Sequence, residues 1–233
     1  MAIRLVIASH NLHKVAELRE LVQTASLREV RAVSVTSLTE LARELGPAPE
    51  VDETATSFAG NAVLKAEAIA AWLRARTRGR ETDVVVADDS GLCVDALDGA
   101  PGVWSARFAG PKASDEQNNL RLVAELGLRG LDRSPAEYAC VLAVRYVGHR
   151  FFEFTLPEDS DVYLRDDCMC IAGRCRGEVR VERRGEGGFG YDPHFWIEGG
   201  ARTFAELSRA EKSRQSHRGM AMRRLIDELP LML

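Results

Sequence analysis

The tightest constraint on the fold is a pair of short runs in which apolar residues follow one another with almost no interruption, Ile3-Arg4-Leu5-Val6-Ile7-Ala8 and Val84-Val85-Val86-Ala87. Runs this short are buried strands; a membrane helix needs about 20 apolar residues. The first passes through Ser9-His10-Asn11 into residues 14–23, whose Val15, Leu18, Leu21 and Val22 recur at helical spacing, so the chain opens strand, turn, helix. The second runs directly into Asp88-Asp89-Ser90-Gly91, which predicts a carboxylate pair at a strand end.

Between these runs, an apolar alternation at 30–35 and the loop Gly46-Pro47-Ala48-Pro49 lead to Asp52-Glu53 and then to an alanine-rich helix predicted over 57–78. Residues 92–97 return to apolar character before the turn Gly99-Ala100-Pro101-Gly102. A helix is expected at 114–126, with Ser114 as its N-cap. Strand-like runs at 138–147, 151–156 and 168–181 suggest an antiparallel block, with the acidic stretch 157–167 as a surface loop. The glycine-rich segment from Gly185 to Pro193 reads as a loop, and 194–197 as one more short strand. A helix at 213–229 closes the chain, turning Met220, Met222, Leu225, Ile226 and Leu229 mainly inward and Arg223 and Arg224 to solvent.

With 233 residues, 45% of them hydrophobic, the chain can bury a full core as a single domain, 1–233, of two lobes. Its 31 basic and 35 acidic residues give a net charge of -4, which argues against a nucleic-acid partner and makes any phosphate binding local. The lack of a spanning run and of secretory flanks around residues 3–8 predicts a cytoplasmic protein with no membrane partner. The five cysteines are an odd number without a paired framework, as in a reducing compartment. Cys168, Cys170 and Cys175 lack a fourth ligand at metal spacing and read as strand cysteines.

Several segments carry chemistry. Ser9-His10-Asn11-Leu12-His13-Lys14 sits between a strand and a helix, where free amides, the helix dipole and a lysine favour an anion; ordinary capping is the alternative. Asp88-Asp89-Ser90-Gly91 suits hard-cation ligation beside a turn, or an Asx turn alone. Asp52 and Glu53 either complete that metal site or are a solvated helix start. Phe189-Gly190-Tyr191-Asp192 offers a stacking ring, a close-approach glycine and a carboxylate able to accept from a base edge. Lys212 and His217-Arg218 are donors for phosphate or a keto oxygen, and Arg107 is either a phosphate contact or a salt-bridge partner.

Together these blocks resemble the inosine/xanthosine triphosphate pyrophosphatase family, the house-cleaning enzymes for deaminated purine nucleotides. The likeness runs through Ser9-His10-Asn11 with Lys14, Glu53-Thr54, Phe58, Asn61-Ala62, Lys65-Ala66 and Ala87-Asp88-Asp89-Ser90-Gly91-Leu92. It continues through Asp95-Ala96-Leu97, Gly99-Ala100-Pro101-Gly102-Val103, Ser105-Ala106-Arg107-Phe108 and Gly187-Gly188-Phe189-Gly190-Tyr191-Asp192-Pro193, then Thr203-Phe204-Ala205-Glu206-Leu207, Lys212 and Ser216-His217-Arg218. Two departures stand out: Ser57 where the family usually has threonine, and residues 151–170, which have no clear counterpart.

The resemblance implies an α/β fold with an elongated central mixed sheet flanked by helices, two lobes with a substrate cleft between them, and a homodimer. It implies hydrolysis of inosine, deoxyinosine and xanthosine triphosphates to the monophosphate and pyrophosphate with Mg2+. Asp89 matches the base and a metal ligand, Glu53 the second metal ligand, and Ser9 to Lys14 with Lys212 the triphosphate grip. Ser90, Phe189, Gly190, Tyr191, Asp192, His217 and Arg218 match the remaining nucleotide contacts. A nucleotide-binding regulator without catalysis, or a pyrophosphatase of other base preference, is the alternative.

Overall fold

The computed structural model describes residues 3–9, 12–24, 33–77, 82–148, 160–197 and 199–229. The opening apolar run forms β1 (Ile3–Ile7), which pairs in parallel with β2 (Val33–Ser37) on one side and β3 (Asp83–Val94) on the other. Parallel neighbours need crossover connections. These are supplied by α1 (Leu12–Thr24) between β1 and β2, and by α2 (Leu38–Leu45) and α3 (Phe58–Thr77) between β2 and β3. After α4 (Asp115–Leu128) come β4 (Arg133–Tyr146), β5 (Val162–Arg165), β6 (Cys168–Arg180) and β7 (Phe195–Ile197). The sheet order is β2-β1-β3-β4-β6-β5, and β6 also pairs with β7. The β5–β6 and β6–β7 pairings are antiparallel, so the sheet is mixed and flanked by helices, the α/β class expected from the sequence.

Five local expectations are corrected. The sequence places Asp88-Asp89 at a strand end, but β3 continues through Asp88, Asp89, Ser90 and Gly91 to Val94, because sheet pairing overrides the breaker residues. Helix α2 lies between the alternation expected at 30–35 and the loop at 46–49, where no element was expected; a reciprocal Ser37–Glu40 capping box starts it. The acidic stretch contains β5, paired with β6. The closing helix is two helices, α5 (Arg209–Gln215) and α6 (His217–Glu228), split at Ser216, whose backbone is extended. Arg224 is not simply solvated: it pairs with Asp161 at 2.6 Å and donates to the Ala172 carbonyl at 2.6 Å. The strand expected at 151–156 lies outside the described residues, as do 30–32 of the alternation.

The chain divides into two compact units, one of Met1–Asp89, Val141–Ala172 and Ala221–Leu233, the other of Ser90–Cys140 and Gly173–Met220. Each has its own apolar core. In the first, Ala62, Ala66 and Ala70 of α3 are fully buried at i, i+4 and i+8, a stripe of small side chains that packs with Val6, Leu41, Val85 and Val141. In the second, Leu92, Leu122 and Leu126 pack with Tyr138, Phe195 and Phe204. Burying each such large side chain is worth roughly 1.5–3 kcal/mol.

Candidate active site

In the first unit the chemistry gathers around Asp89. Its residue is 8% exposed, and its two oxygens have separate partners: Lys65 Nζ donates to Oδ1 at 3.3 Å and Asn61 Nδ2 donates to Oδ2 at 3.1 Å. Lys65 and Asn61 lie four apart on α3, one turn and one face. Lys65 Nζ also donates to Glu53 Oε1 at 3.3 Å, so one ammonium bridges two carboxylates. Asn61 Oδ1 accepts from the Ala55 amide at 2.9 Å, which ties down the stretch that carries Glu53. Of the neighbouring acids, Asp52 is exposed and Glu53 is the one in the cluster.

Burial raises the Asp89 carboxyl above its ordinary value, and this outweighs the lowering by Lys65 and by the Asn61 hydrogen bond. Consecutive strand residues point to opposite faces, so Asp88 and Asp89 do not converge on one ion as an adjacent pair. Among the described residues, no group of three or more histidine, cysteine or acidic side chains is placed to hold a metal. An ion at Asp89 and Glu53 would therefore draw its other ligands from substrate oxygens and water. That suits magnesium, which takes one or two protein carboxylates and completes its shell in this way.

Ser9 follows β1, its amide donating to the Ile7 carbonyl at 2.8 Å, and Leu12, His13 and Lys14 form the first turn of α1. The side chains of these three, and His10 and Asn11 entirely, lie outside the described residues.

In the second unit, the glycine-rich loop has a conformation that its sequence explains. Gly188 has φ 78°, and a Cβ there would run into the Asp192 carboxylate. That carboxylate, on a residue only 2% exposed, accepts from the Phe189 amide at 2.8 Å and pairs with Lys212. Burial raises its pKa, against the opposing pull of Lys212. The Tyr191 hydroxyl donates to the Ser105 carbonyl at 2.8 Å, and its ring is buried. Tyr191 and Asp192 thus shape the loop from inside.

Phe189 is the exposed member, 56% accessible, with Lys212 Nζ 4.2 Å and the Arg218 guanidinium 5.8 Å from its ring centroid. Arg218 is buried and donates to Ser90 Oγ at 3.0 Å. His217 is buried and stacked on Tyr138, 4.8 Å apart at 8°. Arg107, weighed as a phosphate contact, lies over the Trp104 ring at 4.7 Å.

In the sequence, Asn61 and Lys65 stand only as part of the family likeness, with no role attached. Their signal was legible, since a polar pair at i, i+4 is out of place on the packed side of an alanine-rich helix.

The fold is a mixed α/β sheet flanked by helices; one unit holds a desolvated carboxylate beside a lysine, and the other an exposed ring beside two cations. The chain belongs to the Ham1 family, whose profile matches residues 5–228. It is similar to the dITP/XTP pyrophosphatase of Bacillus cereus, 37% identical over 227 residues that span 97% of this chain and 95% of the relative. The dITP/XTP pyrophosphatase of an Exiguobacterium species is 40% identical over 226 residues, 97% of this chain and 96% of that one. A solved HAM1 protein from Coxiella burnetii matches with a TM-score of 0.77 and 31% identity, covering 98% of each chain.

Proposed function

We propose that this protein hydrolyses deaminated purine nucleoside triphosphates (ITP, dITP and XTP) to the monophosphate and pyrophosphate, with Mg2+ as cofactor. The observation that carries the proposal is the Lys65 ammonium held between Glu53 and Asp89, a ready-made place for positive charge beside a buried carboxylate. The names of the relatives point the same way. Glu53 and Asp89 would hold the magnesium ion, which supplies charge neutralisation on the triphosphate and a more acidic water.

Asp89 acts as base. Desolvation makes it a stronger proton acceptor than a carboxylate in water, and Asn61 keeps one oxygen oriented while the other faces Lys65. Lys65 offsets negative charge gathered at this point, and the segment Ser9 to Lys14 grips phosphate oxygens where it enters α1. Phe189 stacks the base. Lys212, paired with Asp192 and over the Phe189 ring, fits a base contact better than the triphosphate grip expected for it.

Arg218, and His217 or nearby amides, donate to the purine 6-keto oxygen, while Ser90 holds Arg218 in place. Adenine would put an amino group against these donors, at a cost of roughly 1–3 kcal/mol per unpaired group, or about one to two decades of discrimination. The whole chain works as one catalytic domain. The family resemblance extends the proposal to a homodimer; no helix among the described residues is long and apolar enough to cross a membrane.

The test is pyrophosphate release from inosine, xanthosine, guanosine and adenosine triphosphates, with and without Mg2+. Fast, metal-dependent release from the first two alone is the expected result. Equal rates with inosine and adenosine triphosphates would overturn the base assignment, and no release from any of the four would overturn the catalytic one.

A further inference from the structure

The loop that carries Phe189 is held by more than its own glycines. Helix α4 starts from Ser114, whose hydroxyl accepts from the Gln117 amide while the Gln117 side chain accepts from the Ser114 amide. This capping box fixes the first turn, and with it Asp115. Asp115 Oδ2 accepts from the Gly190 amide at 2.6 Å; one turn on, Asn119 Nδ2 donates to the Gly190 carbonyl at 3.0 Å. The two side chains therefore take hold of both peptide groups that flank the Gly190 Cα. Gly190 has φ 61°, in the left-handed region, where a glycine is free to go but is not compelled to stay. The clamp selects that conformation.

The adjacent asparagine provides a contrast. Asn118 uses both ends of its amide, accepting from Ala109 at 2.9 Å and donating to Ala106 at 3.1 Å, as a side chain kept for stability would. Asn119 is 6% exposed, and its Oδ1 is buried without a hydrogen-bond partner among the described residues. An apolar residue of similar size would avoid that loss. What Asn119 does that an apolar residue could not is hold the Gly190 carbonyl.

We infer that Asp115 and Asn119 are positioning residues for base recognition: by fixing the Gly190 peptides they set where the Phe189 ring stands relative to Lys212 and Arg218, and so which bases are accepted. This rests on the proposed role of Phe189 as the stacking ring.

The test compares Asn119→Leu, Asp115→Ala and Asp115→Asn in the full chain, by steady-state kinetics with inosine and adenosine triphosphates, thermal melting, and hydrogen exchange of the 188–192 amides. Asn119→Leu is expected to melt no lower than wild type. Its KM for inosine triphosphate should rise roughly three- to tenfold, the size of one lost hydrogen bond, with kcat little changed and the inosine-over-adenosine preference narrowed. Asp115→Ala should behave alike, and Asp115→Asn, which keeps an acceptor for the Gly190 amide, should recover most of the KM. A lowered melting point with unchanged KM and preference in Asn119→Leu would make the residue merely structural and overturn the inference. If wild type hydrolyses none of the triphosphates, the functional proposal fails on its own, and exchange judges the clamp: faster exchange at 188–192 in Asn119→Leu and Asp115→Ala supports it, and unchanged exchange overturns it.

Discussion

Replacing Asp89 by asparagine separates chemistry from stability, because the two respond in opposite directions. The new amide has the carboxylate's shape but a single acceptor, so it can satisfy Lys65 or Asn61 and not both. It cannot take a proton from water, and removing a positioned base costs about 10²–10⁴ in rate. Stability follows the buried charge. The native Asp89 carboxyl is raised, so the folded state binds its proton more tightly than the unfolded chain does. The wild type therefore loses stability as pH rises from about 3.9, the unfolded carboxylate value, through the raised native value, and the loss persists above it. Asp89→Asn removes that loss, against which stands one donor left unpaired, worth about 1–3 kcal/mol. At some 2–4 °C per kcal/mol for a chain of this size, the unpaired donor alone would lower the melting point by about 2–12 °C, and removing the buried charge offsets that drop at neutral pH. Relative to wild type, the variant should gain stability as pH rises through the window. Pyrophosphate release and melting curves across pH measure both quantities on one sample. A variant that keeps more than about a tenth of wild-type turnover would refute the base assignment. A melting point that falls further below wild type as pH rises would refute the electrostatics, since the charge would then be stabilising.

Lys65→Met removes the ammonium that separates Glu53 from Asp89; turnover should fall while Mg2+ binds more tightly, by calorimetric titration. Asn61→Ala deletes a fully buried side chain that bonds both Asp89 and the Ala55 amide, and should lower stability by about 2–4 kcal/mol in urea unfolding. Gly188→Ala places a methyl group against the Asp192 carboxylate at a positive φ; KM for inosine triphosphate should rise more than kcat falls. Ser37→Ala breaks the α2 capping box far in sequence from Asp89 and should cost about 0.5–2 kcal/mol in stability while leaving kcat unchanged.

What local chemistry decides was legible in the chain. The uninterrupted apolar run of β1, the helical spacing of α1, the alanine-rich α3 and the Ser114 cap are signals carried within a few residues, and each element formed where they lay. The Ser37-x-x-Glu40 signature of α2 is equally local, although no helix is expected there from apolar spacing. Other elements were settled by contacts between distant segments. Asp88 to Gly91 carry turn-forming residue types, yet they lie mid-strand because β3 is paired within the sheet; β5 exists because β6 is there to pair with it, and Arg224 meets Asp161 only in the folded chain.

The candidate site divides along the same line. The sequence by itself determined which residue types are on hand, an aspartate in an apolar strand, a glycine-rich loop with an aromatic ring, and a late cluster of lysine, histidine and arginine. Only the tertiary structure decided that Glu53, Asn61 and Lys65 converge on Asp89, and that Tyr191 and Asp192 turn inward while Phe189 remains open. The physical reason is that desolvation and pairing depend on what surrounds a group in space: the raised carboxyl of Asp89 is a property of its burial on β3 against Asn61 and Lys65 of α3, which no stretch of sequence carries alone.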